Sequence, residues 1–312
     1  MERLTRNQPS EQKILVSGAS GLIGTGIVRV ANAKRIQIFE LSRKKSSDPR
    51  VIHWNYEASE PVSEFDRARL EGMSAAIHLS GANLNSHRWT DSYKKEIVES
   101  RTQSTRGLIR VFSQLKQPPE TFLCASATGI YGDRGDDPVT EDSPVGSGFL
   151  AEVCALWEKE AGRARELGIR TISTRFGVVL AKEGGALQEM LRIFRLGLGG
   201  KLGSGQQWMS WIALEDLISA IFYLLQSDRL SGPVNLVAPE PVRNIEFTRT
   251  LAGVLHRPAF FAAPAFALRI GLGEMADEAL LASTRALPVK LYQDGFRFRL
   301  PELEPALKTL LR

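Results

Sequence analysis

Cysteine is scarce in this chain of 312 residues: there are two, Cys124 and Cys154, and neither belongs to a Cys-x-x-Cys pair. A disulfide framework and a thiolate metal centre are excluded, and free thiols in a reducing, cytoplasmic compartment are the simplest reading. Histidine is sparse too, with four, and His78 and His87 lack partners at ligand spacing, so no metal is expected. Long apolar runs are missing too. The longest, Pro258–Leu268, is too short to span a bilayer and contains a second proline, Pro264, so no membrane partner is expected. Residues 1–12 have no apolar stretch of the secretory kind and read as a flexible N-terminus. Charge of one sign is in little excess: 40 Lys and Arg against 35 Asp and Glu leave +5. With basic residues scattered and no aromatic-plus-basic stripe, nucleic-acid binding is not expected. No internal repeat or low-complexity tract occurs.

What is present suits an enzyme-sized α/β protein. At 43% hydrophobic content the chain can bury one large core, or a core plus a small lobe. Short β-type runs at Lys13–Ala19, Arg35–Leu41, Val51–Asn55, Ala75–Ser80, Thr121–Ala127 and Arg170–Leu180 alternate with helical patterns. Such alternation predicts a doubly wound parallel sheet covered by helices on both faces. Residues 13–180 therefore read as a nucleotide-binding domain whose sheet is completed by part of 206–240, and 181–312 mostly as a substrate lobe. In that lobe the pattern predicts helices over Gly185–Leu196, Leu214–Gln226 and Glu302–Leu311 and a short strand over Val234–Val237.

The sharpest signal is Gly18-Ala-Ser-Gly21-Leu-Ile-Gly24, directly after Ile14-Leu15-Val16 and opening an amphipathic stretch. Strand, tight glycine turn and helix N-terminus form a cradle for a diphosphate: unpaired amides and the positive end of the helix dipole face the anion. The candidate contacts are Gly18, Ser20, Gly21, Leu22 and Ile23. The second strand ends Glu40-Leu41-Ser42-Arg43-Lys44-Lys45. An acid at the strand tip would hold a ribose 2′-hydroxyl, whereas Arg43 there, beside Ser42, suits a 2′-phosphate, so NADP is preferred to NAD. A plain solvated loop is the alternative for the basic run.

Three further strings extend the reading: His78-Leu79-Ser80-Gly81-Ala82-Asn83, Ser126-Ala127-Thr128-Gly129-Ile130-Tyr131-Gly132 and Arg175-Phe176-Gly177-Val178-Val179-Leu180. In this order they resemble the extended short-chain dehydrogenase/reductase superfamily of the NAD-dependent epimerase/dehydratase type. More narrowly, Gly81-Ala82-Asn83-Leu84-Asn85, Arg88-Trp89-Thr90, Phe194–Gly200, Gln207–Ile212 and Arg285–Pro288 resemble the YfcH-like epimerase-family proteins. The resemblance implies a Rossmann domain for NADP and a C-terminal lobe of its own. It sets Ser80, Gly81 and Ala82 along the cofactor and Ser126 and Thr128 near the nicotinamide. A homodimer through paired helices, using Ser92–Leu115, is a further implication; the same stretch serves equally to cover its own sheet.

One departure limits the mechanism. The superfamily's proton relay is a tyrosine four residues before a lysine, on one helical face, where the cation lowers the phenol pKa. The residues four places after Tyr56, Tyr93, Tyr131, Tyr223 and Tyr292 are Glu60, Ile97, Gly135, Ser227 and Phe296. Where the pair should fall, Phe149 and Val153 stand instead. Candidate proton donors are then Ser126, Thr128, Tyr131 and Glu152, with packing beside Gly132 as the ordinary role for Tyr131. Arg175 reads either as a guanidinium facing a bound anion in the cleft, and so a cofactor contact, or as half of a structural ion pair. Asn83, Asn85, Gln207 and Trp208 read as substrate-side residues, with core packing as the alternative for Trp208 and Trp211. Two functions are carried forward: an NADP-dependent oxidoreductase or epimerase acting on a polar small molecule, and an NADP(H)-binding sensor without turnover.

Overall fold

The apolar residues Ile14, Leu15 and Val16 suit a strand covered on both faces, and in the computed structural model, which describes residues 12–312, they form the middle of strand β1, Lys13–Ser17. The N-terminal segment expected to be flexible lies, up to residue 11, outside the described residues. Strand β1 is joined by β2 (Gln37–Ser42), β3 (Val51–His53), β4 (Ala75–His78), β5 (Thr121–Ala127), β6 (Arg170–Phe176) and β7 (Gly232–Leu236). These seven make one parallel sheet in the order β7-β6-β5-β4-β1-β2-β3. The chain runs outward from β1 to β3 and then returns to β4 on the other side. Ligands of such sheets bind at that reversal, beyond the carboxyl ends of the strands.

Alternation along β1 decides which layer each side chain enters. Ile14 and Val16 enter one layer with α1 (Leu22–Ala33) and α6 (Leu214–Gln226), through Ile27, Leu217 and Ile221. Leu15 enters the other with α3 (Asp91–Ser113) and α4 (Phe149–Gly162), through Leu108, Phe112 and Trp157. The apolar face of α3 thus covers its own sheet. A separate core in the C-terminal lobe joins α5 (Gly185–Phe194), α7 (Asn244–Leu255) and α10 (Leu303–Leu311) through Leu187, Phe247, Leu251 and Leu307. Asp216 ties the layers together: its buried carboxylate accepts the Arg299 and Leu300 amides, each at 2.9 Å.

The expected strand over Arg170–Leu180 is two. At Gly177 the chain leaves the main sheet, and Val178–Leu180 pairs instead with Trp211–Ala213. A Cβ at Gly177 would lie 2.7 Å from the Ser210 carbonyl oxygen and 2.9 Å from Val237, so only glycine permits this crossing. The expected strand at Val234–Val237 begins earlier, at Gly232, and is β7, the edge of the main sheet.

Candidate functional site

Glycine is required at both ends of the turn after β1. Gly18 has φ +72°, and a Cβ there would press on the Leu79 backbone at 3.0 Å. A Cβ at Gly24 would lie 2.3 Å from the Gly18 carbonyl oxygen. Turn and helix therefore interlock, and α1 begins just after Gly21 with no side-chain cap and no acid in its first turn. Uncapped amides at the start of a twelve-residue helix suit an anion. They open on a cavity of about 330 Å³ lined by Gly18, Gly21, Leu22 and Ile23 together with Leu79, Val178 and Gly185. Ser20, within the turn, is exposed. The geometry fits a diphosphate.

At the tip of β2, the Ser42 hydroxyl accepts the Lys44 amide at 3.0 Å and so shapes the turn that presents Arg43. Arg43, Lys44 and Lys45 are exposed and have no ion-pair partner among the described residues. Glu40 lies within β2, opposite Val16 of β1, short of the tip.

Beyond β4 the turn Ser80-Gly81-Ala82 rests on α3. The Ala82 amide donates to Ser100 Oγ at 2.9 Å, and Arg101 Nη2 donates to the Ala82 carbonyl at 3.1 Å. A Cβ at Gly81 would lie 3.2 Å from the Arg101 guanidinium carbon. Arg101 stacks on Trp157, and burial lowers its pKa; no carboxylate pairs with it among the described residues. Sequence reasoning passed over this cation, because a lone arginine inside a polar helix has no signature. Beneath the same turn, His78 is fully buried and bridges Ser17 Oγ (2.6 Å) and Ser104 Oγ (3.0 Å). The Ser104 hydroxyl donates to the Ser100 carbonyl, so His78 Nε2 donates to Ser104 and Nδ1 accepts from Ser17. Burial pushes its pKa down to about 3. It is a neutral strut.

The face of α4 turned to the ends of β5 and β6 is Leu150, Cys154 and Glu158, one residue out of step with Phe149 and Val153. Phe149 and Val153 face Trp89 and Ile97 instead. Glu158 accepts from Ser126 Oγ at 2.7 Å and from Arg175 Nε and Nη2 at 2.8 and 2.9 Å. Cys154 is buried against Ile130 and Tyr131, and burial raises its thiol to about 11. No tyrosine or lysine stands on either row. At the start of α4, Glu278 from the C-terminal lobe accepts the Leu150 amide at 3.0 Å, a cap set by a residue far away in the chain.

Tyr131 does not reach the cleft. It is fully buried, donates to Asn235 Oδ1 at 2.6 Å and accepts from Arg175 Nη1 at 2.9 Å. Burial raises its pKa to about 12 despite the nearby guanidinium, the reverse of what a proton relay needs. The packing role is the one the geometry shows. Arg175 is likewise buried: desolvation opposes its charge, but Glu158 and Tyr131 overcome this and raise its pKa. Of its two readings, the structural ion pair is the one present. Thr128 is half-buried in a single turn after β5, and Glu152 is exposed on α4.

On the lobe side, Asn83 and Asn85 are exposed, with Asn83 Oδ1 accepting the Asn85 amide. Gln207 is buried and spends its amide on the Leu202 and Leu280 carbonyls, which makes it a brace between loops. Trp208 is half-buried between Arg243 and Arg285, each 4.6 Å from its ring centre, and its Nε1 donates to Asp136. Arg285 Nε is buried without a hydrogen-bond partner. Trp211 is core. No group of His, Cys, Asp and Glu able to hold a metal occurs among the described residues.

Residues 14–236 match the NAD dependent epimerase/dehydratase family, and residues 263–310 match a domain of unknown function. An epimerase family protein of Mycobacterium leprae is 38% identical over 285 residues, 91% of each chain. One of Staphylococcus aureus is 36% identical over 304 residues, 96% of this chain and 99% of that one. Among solved structures, the human epimerase family protein SDR39U1, with NADPH, superposes with a TM-score of 0.86 at 32% identity, covering 96% of this chain and 99% of that one. A nucleoside-diphosphate sugar epimerase from Corynebacterium glutamicum gives 0.79 at 31% identity, over 97% of this chain but 58% of that longer one.

Proposed function

Because the chain belongs to the NAD dependent epimerase/dehydratase family, we propose that it holds NADP(H) across the β1–α1 turn and uses it as an oxidoreductase or epimerase on a polar small molecule. The observation that carries this reading is the uncapped start of α1 opening on the cavity, with Arg43 exposed at the tip of the neighbouring strand. The α1 amides would hold the diphosphate, and Arg43 would hold the 2′-phosphate. The Ser80–Ala82 turn, held down by Arg101, would lie along the cofactor. When bound, the nicotinamide supplies hydride transfer; the chain's own work is to bind, orient and exclude water. The presence of NADPH in the structure of the human relative supports the choice of the phosphorylated cofactor.

A second reading, cofactor binding without turnover, is favoured by the state of the proton donors. Tyr131 is buried, the Ser126 hydroxyl is committed to Glu158, and both rows of α4 lack the tyrosine and lysine. Thr128 and Glu152 are then the donors left to an active enzyme. Incubating the protein with NADPH deuterated at C4 and a metabolite extract separates the two. A deuterated product supports turnover and names the substrate class. Binding with no label transfer favours the sensor, or an epimerase that returns its hydride.

A further inference from the structure

Two segments of the C-terminal lobe carry an apolar surface outside the residues that line the cavity at the start of α1. Residues 190–205 and 256–273 run side by side: the Phe261 amide donates to the Gly199 carbonyl, Ala263 to Lys201, and Gly203 back to Ala263. This pairing gathers Leu196 and Leu198 from one segment and Phe260 and Phe261 from the other. Helix α8 (Ala265–Leu272) follows directly and adds Phe266 and Ile270, one turn apart on one side. Phe260 is 86% exposed, Leu196 73% and Ile270 71%, and no residue of α8 is buried. Clustered large apolar side chains in water mark a surface meant to be covered.

Charge decides by what. Residues 190–205 and 256–273 carry Arg192, Arg195, Lys201, Arg257 and Arg269, and the acids that flank them, Glu189, Glu274 and Asp277, each already pair with a cation, Glu274 with Lys94. Arg192 and Arg269 are paired with Glu189 and Asp277 of flanking residues. Arg195, Lys201 and Arg257 have no carboxylate partner among the described residues, and Arg257 Nε reaches only the Arg195 carbonyl. A second copy meeting this face through a two-fold axis would set these cations against themselves. An apolar patch rimmed by free cations is instead complementary to the interfacial zone of an anionic bilayer, where phenylalanine and leucine enter the acyl boundary and arginine stays with the phosphates. We propose that this face docks the protein reversibly on anionic lipid membranes. Lying on a bilayer needs no spanning run, so the missing transmembrane segment is no obstacle, although the composition alone led to the opposite expectation.

The test is co-sedimentation of the full chain with vesicles of phosphatidylcholine alone and with added phosphatidylglycerol. The account predicts at least about tenfold stronger binding to the anionic vesicles, weakened by salt. It predicts loss of most of that binding in Phe260→Ser/Phe261→Ser and in Arg195→Glu/Lys201→Glu, with NADPH affinity and unfolding temperature unchanged in both. Equal binding to neutral and anionic vesicles, or none to either, overturns it. So does a concentration-dependent dimer that the phenylalanine variant abolishes, since that assigns the face to a second copy.

Discussion

Arg175 of β6 and Glu158 of α4 meet as a two-pronged pair, Nε to Oε1 at 2.8 Å and Nη2 to Oε2 at 2.9 Å, with side chains only 7% and 15% exposed. Around it Ser126 and Tyr131 bind the same two groups, so the pair locks the ends of β5 and β6 to the helix that flanks the cleft. Removing one partner leaves a buried charge without compensation. Glu158→Ala is expected to cost about 3–5 kcal/mol in urea unfolding, and Glu158→Leu/Arg175→Met to recover much of it. Equal losses in the single and double variants would show that packing, not charge, holds this corner.

Tyr131→Phe separates structure from chemistry. The hydroxyl serves Asn235 and Arg175 inside the protein, so its loss should lower stability by about 1–2 kcal/mol and leave hydride transfer from NADPH, where found, within about twofold. A large fall in rate with intact stability would restore Tyr131 as the proton donor.

Gly24→Ala probes the cradle. Its methyl would need the space of the Gly18 carbonyl, so turn and helix must separate. NADPH affinity should drop at least about tenfold, the loss of roughly one charge-assisted hydrogen bond, while the lobe core around Phe247 is unaffected. Calorimetric titration of the variant reads this directly.

The glycine turn was legible because strand, turn and helix are contiguous, and each step follows from local backbone chemistry. The Arg43 tip was legible for the same reason. The break at Gly177 was not, since Val178-Val179-Leu180 continues the β-type pattern and only the distant Ser210 carbonyl forces the crossing. Nor was the state of Tyr131, whose partners Asn235 and Arg175 lie on other strands. The face that α4 turns to β5 and β6 is one residue away from Phe149 and Val153, where the family's pair should fall, because what orients the helix is Glu158 gripping Arg175. Arg101 and Glu278 stayed hidden: each acts on a backbone group that pattern cannot place beside it.

His78 gives the fold a defined acid sensitivity. In the unfolded chain it takes a proton below its ordinary pKa of about 6.5, whereas in the folded protein burial delays this until about 3. The unfolded state therefore binds more protons between those values, and stability should fall with falling pH by about 1.4 kcal/mol per unit in that window. His78→Gln should flatten the slope there while lowering stability near neutrality. An unchanged slope would place the acid sensitivity elsewhere.

Whether this chain prefers the 2′-phosphorylated dinucleotide is read by titrating the purified protein with NADPH and with NADH. NADPH is expected to bind at least about tenfold tighter, with the preference erased in Arg43→Ala. Equal or tighter binding of NADH, or no binding of either, would contradict it.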